Sequence, residues 1–258
     1  LSANDATAAD LATALKDKAV ALASMGFMDK ARGIFEEVIC RHQYSINPEE
    51  KHAVDKSLYN MAVMHQKGGR APTAIELYQK VVLRNSTSSD SKSQRLVAQC
   101  LLYKGNLLNG TEGGYAQAVA CFDLILKRFD TTDDPSVAEV VMQSLLCKAL
   151  AHVMKDRAFP WATSEEHREA VFPIINKAIS ISSRFSQSSI LLLGARAIRM
   201  KAHFLGKLDR TKEKEQCWGR EALLRQFGAA KAEIVSNFIE KERDLQALTD
   251  FVNLSGAR

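Results

Sequence analysis

One pattern constrains this chain more than any other: an alanine followed four residues later by a large apolar residue, repeated at long intervals. It occurs at Ala31/Phe35, Ala74/Tyr78, Ala118/Phe122 and Ala170/Ile174, with the alanines 43, 44 and 52 residues apart. In the first three copies a further apolar residue falls three positions on, at Val38, Val81 and Ile125. Steps of four and then three put these side chains on one face of an α-helix. A second amphipathic segment precedes each copy. Ala19 and Ala62 lie twelve residues before Ala31 and Ala74, and Leu15 and Leu58 lie four residues before those. In the third copy Gly105 precedes Ala118 by thirteen, which places one extra residue in the Gly110–Gly114 turn. Small residues at such points let two helices approach closely, and self-similarity on this scale marks a repeat architecture.

Boundary signals agree with paired helices. Asn47-Pro48-Glu49-Glu50 supplies an N-cap side chain, a proline at the first helical position and two carboxylates for the positive end of the helix dipole. Asp134-Pro135 and Ser164-Glu165-Glu166 read the same way, and Gly26, Gly68-Gly69 and Gly113-Gly114 fall where the first three pairs must turn. Helices are therefore predicted near 10–25, 29–43, 48–67, 71–85, 91–109, 114–129, 135–155, 165–182, 187–206 and 210–227, with a capping helix near 229–251. The expectation is one repeat domain over 1–258, clear over about 10–130 and degenerate over about 135–227. Five prolines and thirteen glycines are too few for the frequent turns of a strand-rich fold.

Composition narrows the functional classes. Apolar residues make up 46% and charged residues 25%, the balance of a folded chain rather than a disordered one. No apolar run approaches the roughly 20 residues that span a bilayer. Leu1-Ser-Ala-Asn-Asp lacks the basic start and apolar stretch of a secretory signal, so a cytoplasmic location is expected. Cys40, Cys100, Cys121, Cys147 and Cys217 are odd in number and form no CxxC pair. They read as buried thiols of a reducing compartment, not as a zinc site or a disulfide framework, and no cofactor is expected.

The repeated residues resemble the tetratricopeptide repeat, whose pattern runs W-x2-L-G-x2-Y and then A-x3-F. The first copy is Leu15-x2-Lys18-Ala19-x2-Leu22 with Ala31-x3-Phe35, and the second is Leu58-x2-Met61-Ala62-x2-His65 with Ala74-x3-Tyr78. Leu101-x2-Lys104-Gly105-x2-Leu108 with Ala118-x3-Phe122 is the third. The likeness covers residues 12–130 well and 140–180 weakly; the repeats exceed the usual length of about 34 residues, and Lys177 occupies the downstream apolar slot of the fourth. The resemblance implies an all-α, right-handed α-solenoid of antiparallel helix pairs whose first helices line a concave groove.

By the same resemblance the groove would present Lys16, Val20, Lys56, Tyr59, Asn60, Val63, Gln99, Tyr103, Asn106, Gln143 and Cys147. Aromatic, amide and basic side chains suit capture of a partner protein's peptide or helix, since they can satisfy its backbone and acidic groups. A non-catalytic scaffold or adaptor is thus the expected role. The family's clamp for a C-terminal carboxylate is not reproduced: Lys16 and Asn60 match it, but Val20, Gln99 and Tyr103 replace residues it requires.

Two features suggest alternatives. Residues 196–231 are rich in basic side chains, and Arg196, Arg199, Lys207, Arg210, Arg220 and Arg225 form a candidate patch for nucleic acid or another anionic surface. A solvated helix face is the plainer reading, because no aromatic interleaving accompanies the charges. The chain could also serve as a regulatory module of a larger signalling or defence assembly. The Phe159-Pro160-Trp161 segment is a candidate partner anchor or a cover for its own helix ends. His42, His52, His65, His152, His167 and His203 show no ligand spacing, and no catalytic or metal-binding constellation is expected.

Overall fold

The computed structural model describes residues 3–154, 165–207 and 210–241, and these are helical with short connections. The eleven helices are α1 (Ala3–Ser24), α2 (Met28–His42), α3 (Pro48–Lys67), α4 (Ala71–Arg84), α5 (Ser91–Asn109), α6 (Tyr115–Phe129), α7 (Pro135–Met154), α8 (Glu165–Arg184), α9 (Ser188–Lys207), α10 (Thr211–Trp218) and α11 (Arg220–Lys241). No described helix is long and apolar enough to cross a membrane. Contacts divide the chain into two compact units, one up to Leu107 and one from Leu108. In the first, α1 packs on α2 and α3, α2 on α3, and α3 on α4. In the second, each helix from α6 to α9 packs on the next, α7 also meets α9, and α9 meets α10 and α11.

The repeated pattern is the core. Ala31, Phe35 and Val38, then Ala74, Tyr78 and Val81, then Ala118, Phe122 and Ile125 are each wholly buried, at 0% exposure. Ala19 and Ala62 are equally buried opposite them. Burying one such large side chain contributes about 1.5–3 kcal/mol, so the stripe outweighs local propensity in setting which face each helix turns inward.

The turns repeat as well. At Gly26 the backbone has φ 87°, the Phe27 N–H donates to Leu22 O at 2.9 Å and the Gly26 N–H to Ala23 O at 3.1 Å. At Gly69, φ is 72°, the Arg70 N–H donates to His65 O at 2.9 Å and the Gly69 N–H to Gln66 O at 3.1 Å. This is the helix-ending motif in which a left-handed residue lets two amides return to the last carbonyls, and glycine enters that conformation without a steric cost. Asn47 caps α3 as its sequence requires, its Oδ1 accepting from the Glu49 N–H at 2.9 Å and the Glu50 N–H at 3.4 Å.

Four sequence expectations need correction. The fourth copy is displaced by one residue: Val171, Ile175 and Ala178 are buried while Ile174 is only half-buried; the side chain of Ala170 lies outside the described residues. The reason is Lys177, which would enter the core in the original phase. A shift of one residue turns the helix by about 100°, and the Lys177 ammonium instead meets Asp130 Oδ2 at 2.7 Å. The helix expected over 210–227 is broken at Gly219, and the chain between α10 and the capping segment is divided again at Gly228, with φ 71°. α1 begins at Ala3 rather than residue 10, an extension that its alanine-rich start favours. Cys40 is exposed rather than buried, whereas Cys100, Cys121 and Cys147 are buried and Cys217 is half-buried. The Phe159–Trp161 segment and residues 242–251 of the expected cap lie outside the described residues.

Candidate functional site

Three of the helices in the first unit, α1, α3 and α5, carry nine of the eleven expected groove residues. α5 starts from a side-chain cap, Asp90, whose carboxylate accepts from the Lys92 N–H at 3.1 Å and the Ser93 N–H at 2.9 Å. The hydrogen bond with the Ser93 side chain, aided by these amides, holds the Asp90 carboxyl below the usual carboxylate range. α5 is fastened to α4 by Lys104 Nζ donating to Gln79 Oε1 at 2.7 Å. These anchors set the phase in which α5 faces α3.

The centre of the site is a group of tyrosines. Tyr59 of α3 and Tyr103 of α5, both half-buried, have ring centroids 6.1 Å apart. Each also meets the fully buried Tyr78 of α4, at 6.0 Å for Tyr59 and at 5.8 Å in a stacked arrangement for Tyr103. Ring pairs at such distances contribute about 0.5–1.5 kcal/mol beyond burial, so the cluster is a rigid floor. Tyr78 donates its hydroxyl to Gln66 Oε1 at 2.9 Å. Burial first, and then the neighbouring Tyr103, push the Tyr59 phenol far above its ordinary range; burial does the same for Tyr78. The Cys100 thiol beneath is also pushed well up by burial, so it is a packed group and not a thiolate nucleophile.

Cations gather around this floor. Lys56 is half-buried with its ammonium 5.4 Å from the centre of the Tyr59 ring. Burial, followed by the charges of Arg95 and Lys16, lowers its pKa. His52 is lowered by burial, by Lys56 and by Lys92, and so is neutral at pH 7. Lys16 meets Asp17 at 2.9 Å and Lys92 approaches Glu49 at 3.6 Å, whereas Lys56 and Arg95 have no ion pair among the described residues. Arg95 is absent from the sequence-derived candidates. Its signal was available, since it lies one helical turn before Gln99 and therefore shares its face.

The other candidates are placed less tightly. Val20 is exposed at 43%; Asn60, Val63 and Gln99 are half-buried; Asn106 is only 7% exposed and offers little of its amide to a ligand. Gln143 belongs to the second unit, where it is half-buried on α7 and its amide approaches Glu139 at 3.5 Å; Cys147 is buried. In the basic segment Arg196 is half-buried, Arg199 is buried, Arg210 binds Glu213 through two hydrogen bonds and Arg225 is exposed. Lys231 donates to Ser183 O at 2.9 Å, and Arg196, Arg199, Arg210, Lys214 and Arg225 all have further interactions within the chain. The side chains of Lys207 and Arg220 lie outside the described residues. The basic segment is thus largely engaged within the chain, unlike the Lys56–Arg95 pair.

Among the described residues no three His, Cys, Asp or Glu side chains are grouped to hold a metal ion. No family model matches the chain, and no curated protein shows significant similarity to it.

Proposed function

We propose that this chain is a tetratricopeptide-like, right-handed solenoid of antiparallel helix pairs that acts without catalysis, capturing an acidic segment of a partner protein on the α1–α3–α5 face of its first unit. The observation that carries this reading is Lys56. It is a partly buried ammonium packed on a tyrosine ring, crowded by Arg95 and Lys16, with no ion-paired carboxylate among the described residues. A like-charge cluster of this kind is unfavourable in isolation and is relieved by an incoming anion. The tyrosines beside it offer flat apolar area at low entropic cost, together with hydroxyls for a peptide backbone.

Selection of binding peptides from a displayed random library tests this reading. Enrichment of Asp- and Glu-containing sequences is expected, with their affinity reduced about tenfold or more by Lys56→Gln with Arg95→Gln and weakened by salt. Binders without acidic residues, or acidic binders indifferent to that double substitution, would remove the basis for the assignment. Affinity reduced instead by Arg196→Gln and Arg225→Gln would move the working surface to the second unit.

A further inference from the structure

α1 is apolar on two of its faces. Ala9, Ala12 and Ala19 turn inward and are buried. A second stripe, Ala8, Leu11, Leu15, Lys18, Leu22 and Met25, recurs at alternating steps of three and four along the outward side. Met25 follows the last residue of α1 and prolongs its final turn, its N–H donating to Ala21 O at 3.1 Å. Leu11 is 47% and Met25 60% exposed, Lys18 is exposed, and Ala8, Leu15 and Leu22 are half-buried at the inner margin of the stripe. Alternation of three and four is the spacing by which one helix seats along another, and a helix apolar on more than one side is ordinarily covered there.

The chain itself shows what covers such a face. By the offset that relates Ala31 to Ala74, the places of Leu11, Leu15 and Lys18 are taken in α3 by Val54, Leu58 and Met61. These are 0%, 2% and 9% exposed: α3 packs on α1 and α2, and Met61 sits in one cluster with Ala19, Ala31 and Phe35. The repeat therefore buries this face under other helices, whereas in α1 the matching positions are open to solvent.

Size and charge on the open face fit a second copy of itself. With two α1 helices antiparallel about a twofold axis between Leu15 and Lys18, Leu11 meets Leu22 of the second copy and the small Ala8 meets the large Met25. Leu15 then meets the aliphatic stem of Lys18, while parallel pairing would set each Lys18 against its own counterpart. Ala14 lies on the outer edge of the stripe, flanked by Asp10 four residues before it and Asp17 three residues after it. In the antiparallel register the Lys18 ammonium passes over Ala14 of the second copy, about 3 Å along the axis from Asp17 and about 7.5 Å from Asp10. Neither Lys18 nor Asp10 has an ion pair among the described residues, and Asp17, 65% exposed, meets Lys16 at 2.9 Å. Within one helix Lys18 and Asp10 are about 12 Å apart along the axis, so they can pair only between copies.

We propose that this chain self-associates through an isologous, antiparallel contact of α1 with α1, each Lys18 answering Asp10 and Asp17 of the other copy. One helix pair is a small interface, and a dissociation constant of about 1–100 µM is expected. Lys16 and Val20 lie on the opposite side of α1 from this stripe, so the inference does not rest on groove capture.

The test is sedimentation equilibrium of the whole chain across concentrations that bracket that range. A reversible equilibrium between the 28.5 kDa chain and a species of twice that mass is expected. Leu11→Glu and Met25→Glu, both at exposed positions, should each weaken it by about tenfold or more while helix content by circular dichroism is unchanged. Lys18→Glu should weaken it by a similar factor, through repulsion from Asp10 and Asp17, and adding Asp10→Lys should recover part of the loss. That recovery reports a contact between copies, since the two positions do not meet within one helix. A chain monomeric throughout would leave the face to a helix of another protein and overturn the proposal. So would a dimer indifferent to Leu11→Glu and Met25→Glu, or a Lys18→Glu loss that Asp10→Lys leaves unchanged or deepens.

Discussion

The two units of this chain use polar groups in opposite ways. In the first, carboxylates are buried at helix joints. Asp55, 1% exposed, accepts from Arg84 Nε at 2.6 Å and from Asn85 Nδ2 at 2.8 Å, while Arg84 also donates to Gln43 O at 3.2 Å. Glu50 accepts from His42 Nδ1 at 2.5 Å, with both residues 8% exposed. In the second unit three charged ties among the described residues are peripheral: Lys177 to Asp130, Arg184 to Asp133 and Lys148 to Asp123 join side chains at or near the surface. A buried pair tolerates one helix phase only, because any rotation strands a charge. A helix held by apolar contacts and surface pairs has more latitude. The one-residue displacement in α8 occurs in the unit whose described residues include no buried carboxylate.

The sharpest test of that contrast is removal of one carboxylate from each unit. Asp55→Ala leaves Arg84 and Asn85 without their partner and should cost about 3–5 kcal/mol. Asp133→Ala removes a pair whose aspartate is 95% exposed and should cost under about 1 kcal/mol. Urea denaturation of the two variants measures the difference. Similar losses would mean that the buried joint has no special weight.

The second unit has a different point of sensitivity, where packing rather than charge is tight. A Cβ on Gly194 of α9 would lie 2.4 Å from Ser182 Oγ and 2.7 Å from Ser182 Cβ of α8. Gly194→Ala should therefore lower stability by about 1–3 kcal/mol, the usual cost of overpacking. Adding Ser182→Gly should recover part of the loss. A double variant no more stable than Gly194→Ala would show that the helices cannot exploit the space.

A smaller effect separates adjacent glycines in one turn. Gly69 has φ 72° and Gly68 has φ −85°. Gly69→Ala must hold an L-residue in the left-handed region and should cost about 1–2 kcal/mol. Gly68→Ala meets nothing closer than Met64 O at 3.4 Å and should be nearly neutral. Thermal melts of the two variants distinguish a conformational requirement from mere glycine content.

These cases show how much was legible beforehand. The burial of Ala31/Phe35/Val38 and its two successors followed from spacing alone, because a 3.6-residue period leaves a stripe of large apolar side chains one place to go. Gly26 and Gly69 were legible for a similar reason, since few other residues accept their backbone geometry. The α8 phase was harder to read: Val171/Ile175/Ala178 and Ala170/Ile174 are competing stripes one residue apart, and only the exclusion of Lys177 from the core separates them. Arg95 is not legible from the resemblance, whose groove slots fall at Gln99 and Tyr103, not one turn earlier.

The smallest effect concerns the cost of keeping a cation at the tyrosine floor. The Lys56 pKa is lowered from 10.5, first by burial and then by Arg95, so the folded state holds this ammonium less readily than the unfolded chain does. The sign follows directly: its contribution is favourable above about pH 10.5 and is lost as the pH falls through the lowered value, leaving a cost at pH 7. Lys56→Met should therefore raise stability at pH 7 by a few tenths to about 1 kcal/mol, and the gain should shrink as the pH approaches 10. The matching substitution in the second unit, Lys148→Met, removes an ammonium paired with Asp123 at 2.5 Å and should give no gain. Denaturation midpoints at several pH values check both, and binding of an acidic peptide should fall for Lys56→Met alone. A stabilised variant that loses binding is the behaviour of a cation retained for a partner. A destabilised one would mean that Lys56 contributes to the fold through its stem packed on Tyr59, which is how a long basic side chain acts when its charge is incidental.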